Sequence, residues 1–294
     1  MDKPSTITVA GIGVGEGNSR FFPLVETEVF PHRLALITVS GDLCASAVDD
    51  ALKSDRLLAI FPEVPPRSQF EALPNVFELK VFEFNKKTYS ANGILVRIVK
   101  NLNYPDGSQR ITVRGLNRIA FINMFRDGDG VLKVHYSNTP DRLDTSESEA
   151  RAKFKGISMA FQEYAAIAGG IPEDELLSVL NAEDVGQGCD IIADDMNFRE
   201  VEKFLLLSMS SVNQRLDFLA TLLNREVETT RLGIKIQKEV HNAMTESQRE
   251  YYLREQLRTI QNELGEDTRN PDIVELEGRL ANTKLPEDAE KVVK

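Results

Sequence analysis

The distribution of proline divides this chain into two kinds of structure. Eight of its twelve prolines lie at or before position 105, and none falls between Pro172 and Pro271. Proline lacks a backbone donor and clashes with the preceding helical turn, so long helices belong in the proline-free stretch and short elements joined by turns belong in the first half. The residue patterns agree. Strand-type runs fill the first half: LALITVS from Leu34, LLAIFP from Leu57, GILVRIVKNL from Gly93, QRITVRGL from Gln109 and VLKVHYS from Val131, bounded by Pro, Gly, Asn and Asp. Pro105-Asp106-Gly107 predicts a hairpin turn between two of them, because proline presets one turn dihedral and glycine relieves the positive one. In the strand that follows, Ile111 and Val113 alternate with Arg110, Thr112 and Arg114, which predicts one buried and one wet face. One helix is expected among the strands, with Ser40 or Asp42 as N-cap and Leu43, Val48 and Leu52 on one face. Many short strands with a single helix predict a small, partly closed barrel.

From about Thr145 the apolar period becomes helical. SESEARAKFKGISMAFQEYAAIA reads as one helix, PEDELLSVLNA as a second with Pro172 in its first turn, and FREVEKFLLLSM as a third. Val212, Leu216, Leu219, Leu223 and Val227 then recur every three or four residues, followed by Ile236, Val240, Met244, Leu253, Leu257, Ile260 and Leu264. Gly233, just after Thr229 and Thr230, is the weakest helical point and predicts a break or bend. An unbroken helix from Gly233 to Leu264 would be about 48 Å long. Gly265 supplies a C-terminal stop and Pro271 prevents easy continuation.

The 294 residues suffice for two ordinary domains. No apolar run reaches the length of about 18 residues that a membrane span needs, and the first twenty residues lack the apolar core of a signal peptide, so a cytoplasmic protein is expected. Cys44 and Cys189 stand far apart with no C-x-x-C spacing, which predicts two buried reduced thiols. Residues 1–140 carry 16 Lys and Arg against 15 Asp and Glu, so the net charge of −11 sits in the second half and disfavours binding to a phosphate backbone. GIGVGEGNS, from Gly11 to Ser19, never completes a dinucleotide fingerprint and reads as part of a flexible arm. DGDG, from Asp127 to Gly130, reads as a tight turn, since Val131 takes the third ligand position of a calcium loop. His32, His135 and His241 lie in different segments with no second ligand at metal spacing, and His32 reads as a turn residue, so no metal site is expected. Asp49-Asp50 and Asp194-Asp195 are expected in helical, solvated surroundings.

The stretch NVFELKVFEFNKK is open to two readings. Its apolar alternation slips phase between Val81 and Phe82, and Phe77, Phe82 and Phe84 follow a proline-rich loop. They are either ordinary core packing or an exposed apolar contact surface.

SQREYYLREQLRTIQNELGE, from Ser247 to Glu266, resembles the segment of Lon proteases that joins their N-terminal region to the ATPase module. The resemblance extends backward in order: FPLVETEVFPH from Phe22, YPDGSQRITVRGLNR from Tyr104, IPEDELLSVLNAED from Ile171 and VNQRLDFLATLLNREVE from Val212 are similar to successive parts of that N-terminal region. The chain departs from the family pattern at Val25-Glu26-Thr27, at Arg114 and at Asp194-Asp195-Met196. No G-x-x-x-x-G-K-[ST] occurs, and no serine can be assigned as the nucleophile of a Ser-Lys dyad.

The resemblance implies an α+β fold: a small PUA-like β-barrel, then an α-helical bundle and a long extended helix. The expected divisions are a flexible arm over 1–20, a substrate-recognition barrel over 21–140, a helical subdomain over 141–210, a helical spacer over 211–266 and the start of a linker over 267–294. It also implies a non-catalytic fragment that binds unfolded or degron-bearing proteins within a homohexameric ATP-dependent serine protease, whose own ATPase and peptidase domains bind ATP and Mg. Phe77, Phe82 and Phe84 are then candidates for substrate contact, and Tyr251, Tyr252, Leu253, Leu257 and Ile260 for a coupling helix. A stand-alone Lon-like binding module, or a structural dimer zipped along the helix from Arg231 to Leu264, are the alternatives.

Overall fold

The structure, a computed structural model, describes residues 15–24, 29–70, 79–105 and 108–263, together with 275, 278 and 279, and no side chains at 242–247 and 261–263. Phe77, Asp106, Gly107 and Leu264 lie outside the described residues. Two compact units, Met1–Thr230 and Arg231–Lys294, divide the chain. Among the described residues no helix is long and apolar enough to cross a membrane.

The first unit begins with eight strands and one helix: β1 (Glu16–Leu24), β2 (Leu34–Val39), α1 (Gly41–Leu52), β3 (Leu57–Pro62), β4 (Val81–Phe84), β5 (Lys87–Ser90), β6 (Asn92–Asn103), β7 (Gln109–Arg126) and β8 (Leu132–Asn138). A short 3-10 turn, Arg67–Gln69, follows β3. The main sheet runs β2-β7-β6-β3-β1-β8, and a further β7–β8 pairing closes five of its strands into a ring. β7 makes that closure because it is long: its first half pairs with β2 and its second half with β8, the latter pairing interrupted by a register shift between Phe121 and Asn123. All pairings in the main sheet are antiparallel except β1 with β3. β4 and β5 form a separate two-stranded ribbon.

Every strand run read from the sequence is a strand, but β7 continues well past the expected QRITVRGL. β1 also starts at Glu16, inside the expected flexible arm: Glu16 to Arg20 pair with Ser137 to Lys133 of β8, so this part of the arm belongs to the sheet. β6 and β7 pair up to Asn103 and Gln109, as the expected hairpin requires. DGDG is the tight β7–β8 turn, closed by a Gly130 N–H to Asp127 carbonyl bond of 3.1 Å, with Gly130 at φ 80°. His32 likewise sits in a turn at φ 64° and donates its N–H to the Gly115 carbonyl at 3.0 Å.

Adjacent residues of β1 and β3 enter two different cores because successive side chains point to opposite faces. Phe21, Ala59 and Phe61 join a cluster with Phe82, Tyr89 and Phe121. Phe22, Leu58 and Ile60 join a larger cluster that continues through α1 and β6 into the helices. Gly115 is required at the meeting of β2 and β7, because a Cβ there would overlap the Phe30 carbonyl.

The helices are α2 (Glu147–Ala168), α3 (Glu173–Leu180), α4 (Val185–Asp195), α5 (Glu200–Ser208) and α6 (Val212–Glu263). Ser146 caps α2 by accepting from the Glu149 N–H at 3.3 Å. Beyond the helical surroundings expected for Asp194-Asp195 at its end, α4 has no counterpart in the expected helices, since two glycines in VGQGCDIIADD depress its propensity. Its start is fixed by Asp184, whose carboxylate accepts from the Gln187 N–H at 2.8 Å. The glycines serve packing: a Cβ at Gly188 would overlap the Phe154 ring of α2, and one at Gly186 the Asp141 carboxylate.

The helical backbone of α6 continues through Gly233, where a break or bend is expected from sequence. One glycine costs only about 1 kcal/mol in a helix, which its neighbours absorb. The apolar stripe changes character along α6. Val212, Leu216, Leu219, Leu223 and Val227 are core residues of the first unit, so the expected division at 211 falls inside a packed core. In the second unit, Ile236, Val240, Leu253, Leu257 and Ile260 are exposed.

Candidate functional site

A buried ionic framework joins the strands to the helices of the first unit. Arg118 of β7, in the Gly-Leu-x-Arg segment, forks onto Asp190 of α4 with two bonds of 2.6 Å and donates to the Leu207 carbonyl at 3.1 Å. Arg215 of α6 reaches the same carboxylate at 2.9 Å and also pairs with Asp141. Burial pushes the Asp190 carboxyl up, but the Arg118 and Arg215 guanidiniums outweigh it and hold the group below the usual carboxylate range. Glu202 of α5 is held down in the same sense: burial raises it, and Arg225 and Arg199 bonded to it prevail. These pairs are made within the fold and have a structural role, although the Arg215 Nε is buried without a hydrogen-bond partner among the described residues.

Asp194-Asp195, expected in solvated surroundings, instead meets Arg33 from the strand region. The Arg33 guanidinium bonds Asp194 at 2.6 Å, Glu175 at 2.8 Å and Asp195, whose side chain is only 9% exposed. One guanidinium cannot neutralise three carboxylates. Burial first, then repulsion from Glu175 and Asp194, push the Asp195 carboxyl up to about 7 despite Arg33. The folded state therefore holds a proton that the unfolded chain releases near its ordinary value of 3.8, so stability falls as pH rises between those values and levels off above about 7. Asp195→Asn is expected to flatten that slope and to raise the unfolding midpoint at pH 8, measured by urea titration at several pH values. An unchanged slope would remove Asp195 as its source. Asp49 is exposed as expected, whereas Asp50 is half-buried and accepts from Arg20, a 6% exposed residue of β1, at 2.6 Å.

A groove of about 620 Å³ opens between β2 and the β4–β5 ribbon of the first unit. Among the described residues, Phe22, Leu24, Ala35, Ile37, Leu43 and Phe84 give it an apolar lining. The Lys87 ammonium and the Glu63 carboxylate, 2.7 Å apart, add polar lining. Cys44 also lines it, with burial pushing its thiol up to about 11, so it is a neutral thiol and not a nucleophile. Cys189 is buried elsewhere, its thiol pushed up to about 12 by burial. Among the described residues no cluster of His, Cys, Asp and Glu could hold a metal. The groove can bury apolar side chains, and the Glu63 carboxylate and Lys87 ammonium in its lining are paired with each other.

The three candidate phenylalanines are not one surface. Phe77 lies outside the described residues. Phe82 is 3% exposed, stacked on Phe121 at 3.9 Å with 7° between the rings and edge-on to Phe61 at 5.5 Å, so the exposure that a substrate contact needs is absent. The phase slip has a simple cause: β4 begins at Val81, which faces solvent, and Phe82 then points inward. Phe84 is half-buried, 5.3 Å from Phe21, and borders the groove. Tyr251, Tyr252, Leu253, Leu257 and Ile260 are all exposed on the part of α6 in the second unit. Sequence reasoning missed Leu34 and Leu36, exposed on β2, although LALITV is apolar at both phases of the strand and could have flagged them.

Residues 19–225 match the family model described as the ATP-dependent protease La (LON) substrate-binding domain. The chain is similar to the Lon protease of Syntrophomonas wolfei, 30% identical over 270 residues, covering 92% of this chain and 31% of that relative. It is 30% identical to the Lon protease of Dictyoglomus thermophilum, over 92% of this chain and 32% of the relative, and 27% identical to that of Escherichia coli K12 with the same coverage. The chain thus spans about a third of the length of these relatives. Among solved structures, the N-terminal domain of Mycobacterium avium complex Lon protease shares the fold, with a TM-score of 0.55 at 17% identity over 71% of this chain and 98% of that one.

Proposed function

Because this chain belongs to the family of ATP-dependent protease La (LON) substrate-binding domains, we propose that it is the substrate-recognition and spacer region of a Lon-type serine protease that degrades misfolded and regulatory proteins. In this reading the first unit holds unfolded or degron-bearing polypeptide, and the exposed stripe of α6 belongs to the helix that couples this module to the ATPase and peptidase domains of a cytoplasmic homohexamer. ATP, Mg and the catalytic dyad belong to those other domains. The observation that carries the proposal is the family match over residues 19–225, and an apolar groove within that region supports it.

The chain contains no tryptophan, so emission from a tryptophan-bearing ligand reports binding directly. An unfolded protein is expected to change its emission on titration at micromolar or weaker affinity, because ordering a flexible partner offsets much of the apolar gain. Its folded form should not respond, and phosphate release from ATP should stay at the buffer blank. An equal response to folded and unfolded ligand would overturn the recognition role, and ATP turnover would overturn the non-catalytic one.

A further inference from the structure

Among the described residues, strand β2 has one unpaired edge. Among the described residues it pairs with β7 alone, while the other five strands of the main sheet close into the ring. The Gly115 N–H donates to the Arg33 carbonyl at 2.9 Å, in register with the Leu34–Arg114 pairing. Antiparallel pairs alternate between bonded and non-bonded, so Ala35, Ile37 and Val39 bond to β7, and the N–H and C=O groups of Leu34, Leu36 and Thr38 point away from the sheet. Edge strands are ordinarily guarded by charge, proline, a bulge or a covering element. β2 reads LALITV, has an unshifted register, and exposes Leu34 by 54% and Leu36 by 59%.

The groove adjoins this edge. Ala35, Leu36, Ile37 and Thr38 all line it, and because successive side chains point to opposite faces, the edge of the strand borders the groove and not one face alone. The outer face of the same sheet is cationic. Register places Arg114 and Arg97 in line with Leu34, Lys100 in line with Leu36, and Arg110 in line with Thr38. All four cations are exposed, and among the described residues none pairs with a carboxylate; Arg110 lies 5.4 Å over the Tyr104 ring. This is a positive face on a chain of net charge −11.

We propose that β2 is a strand-addition site, which takes an extended polypeptide segment with alternating apolar and acidic side chains as an extra strand of the sheet. A strand paired to β2 sends alternate side chains to opposite faces: apolar ones follow Ala35 and Ile37 into the groove, and acidic ones follow Leu34 and Leu36 toward Arg110 and Arg114. Backbone bonding tolerates many sequences and excludes chains whose strands are already paired, while the cations select among the unfolded ones. This rests on the reading of the chain as a module that captures unfolded polypeptide, and it specifies where and how.

The test uses three short peptides carrying a terminal tryptophan: one alternating valine with glutamate, one with lysine in place of glutamate, and the glutamate peptide methylated at alternate backbone nitrogens. The glutamate peptide is expected to bind saturably, the methylated peptide at least about tenfold more weakly, as the loss of a hydrogen bond or two requires, and the lysine peptide more weakly because its charges meet like charges on the sheet. Leu36→Pro removes only a donor that already faces outward, so the ladder to β7 stays intact, and it should weaken the glutamate peptide about tenfold. Arg110→Glu should narrow or invert the preference for glutamate over lysine. Equal binding of the methylated peptide, which requires no altered protein, would overturn strand addition. So would a wild-type dimer that Leu36→Pro converts to monomer without affecting peptide, since a second copy would then occupy the edge. An unfolded protein that binds wild type and Leu36→Pro alike would leave the capture role standing and remove the edge from it, whereas an unfolded protein that binds neither would remove the capture role itself.

Discussion

Asp190→Ala is expected to destabilise the Met1–Thr230 unit by about 3–5 kcal/mol, the range for removing one partner of a buried ion pair. Arg118 and Arg215 are 4% and 0% exposed, and both bond this carboxylate. Without it the one carboxylate they keep among the described residues is Asp141, whose side chain is 31% exposed and lies 3.7 Å from Arg118, beside neutral backbone carbonyls such as that of Leu207. Two buried guanidiniums would share one partly hydrated carboxylate, and neither can shed its charge by losing a proton. A domain is stable by only about 5–15 kcal/mol, so the loss is a large fraction of the total. Urea unfolding followed by circular dichroism measures it, and a loss below about 1 kcal/mol would show that water or backbone carbonyls replace the carboxylate. Asp190→Asn should cost less, because the amide oxygen still accepts one of the three bonds.

Phe82→Ser is the second large effect, expected to cost roughly 3–5 kcal/mol from the cavity alone, with a further penalty for the buried hydroxyl. The ring is enclosed by Phe61, Tyr89, Phe121 and Phe21, with stacked and edge-on contacts that a serine cannot replace. The unfolding midpoint should therefore fall sharply. Phe84→Ser, at a half-buried position beside the groove, should shift it less. A Phe82 variant as stable as wild type would mean that β4 can leave the core. Any loss of ligand binding in Phe82→Ser has to be judged against this instability, whereas Phe84 can be tested for contact in a folded protein.

Local pattern made much of this architecture legible. The five strand runs, the helix after Ser40 and the helix α2 are where residue type and spacing predict them, because periodicity depends on neighbours within a few residues, although the Ser40 side chain makes no capping bond. α4 escaped notice because its glycines oppose helix formation locally and are explained only by the Phe154 ring and the Asp141 carboxylate that pack against them. The second half of β7 escaped for a related reason. NRIAFINMFR mixes polar and apolar residues at both phases, and its strand state depends on the closure with β8.

The site divides along the same line. Residues of the Lon-like segments, read in order along the chain, were enough to place it in a family, since a family signature is carried by residue identity and spacing. Whether a given phenylalanine faces water is not carried that way: Phe82 and Phe84 share one phase of β4, yet Phe121 from a distant strand covers only the first. Likewise LALITV reads as a strand from its own residues, but its edge is unpaired among the described residues because β7 and β8 pair with each other and close the ring without it. Periodicity determined which side chains share a face of each element. Contacts between residues far apart in the chain, set by how the sheet closes and what packs on it, decided which of those faces and edges remained open to a partner.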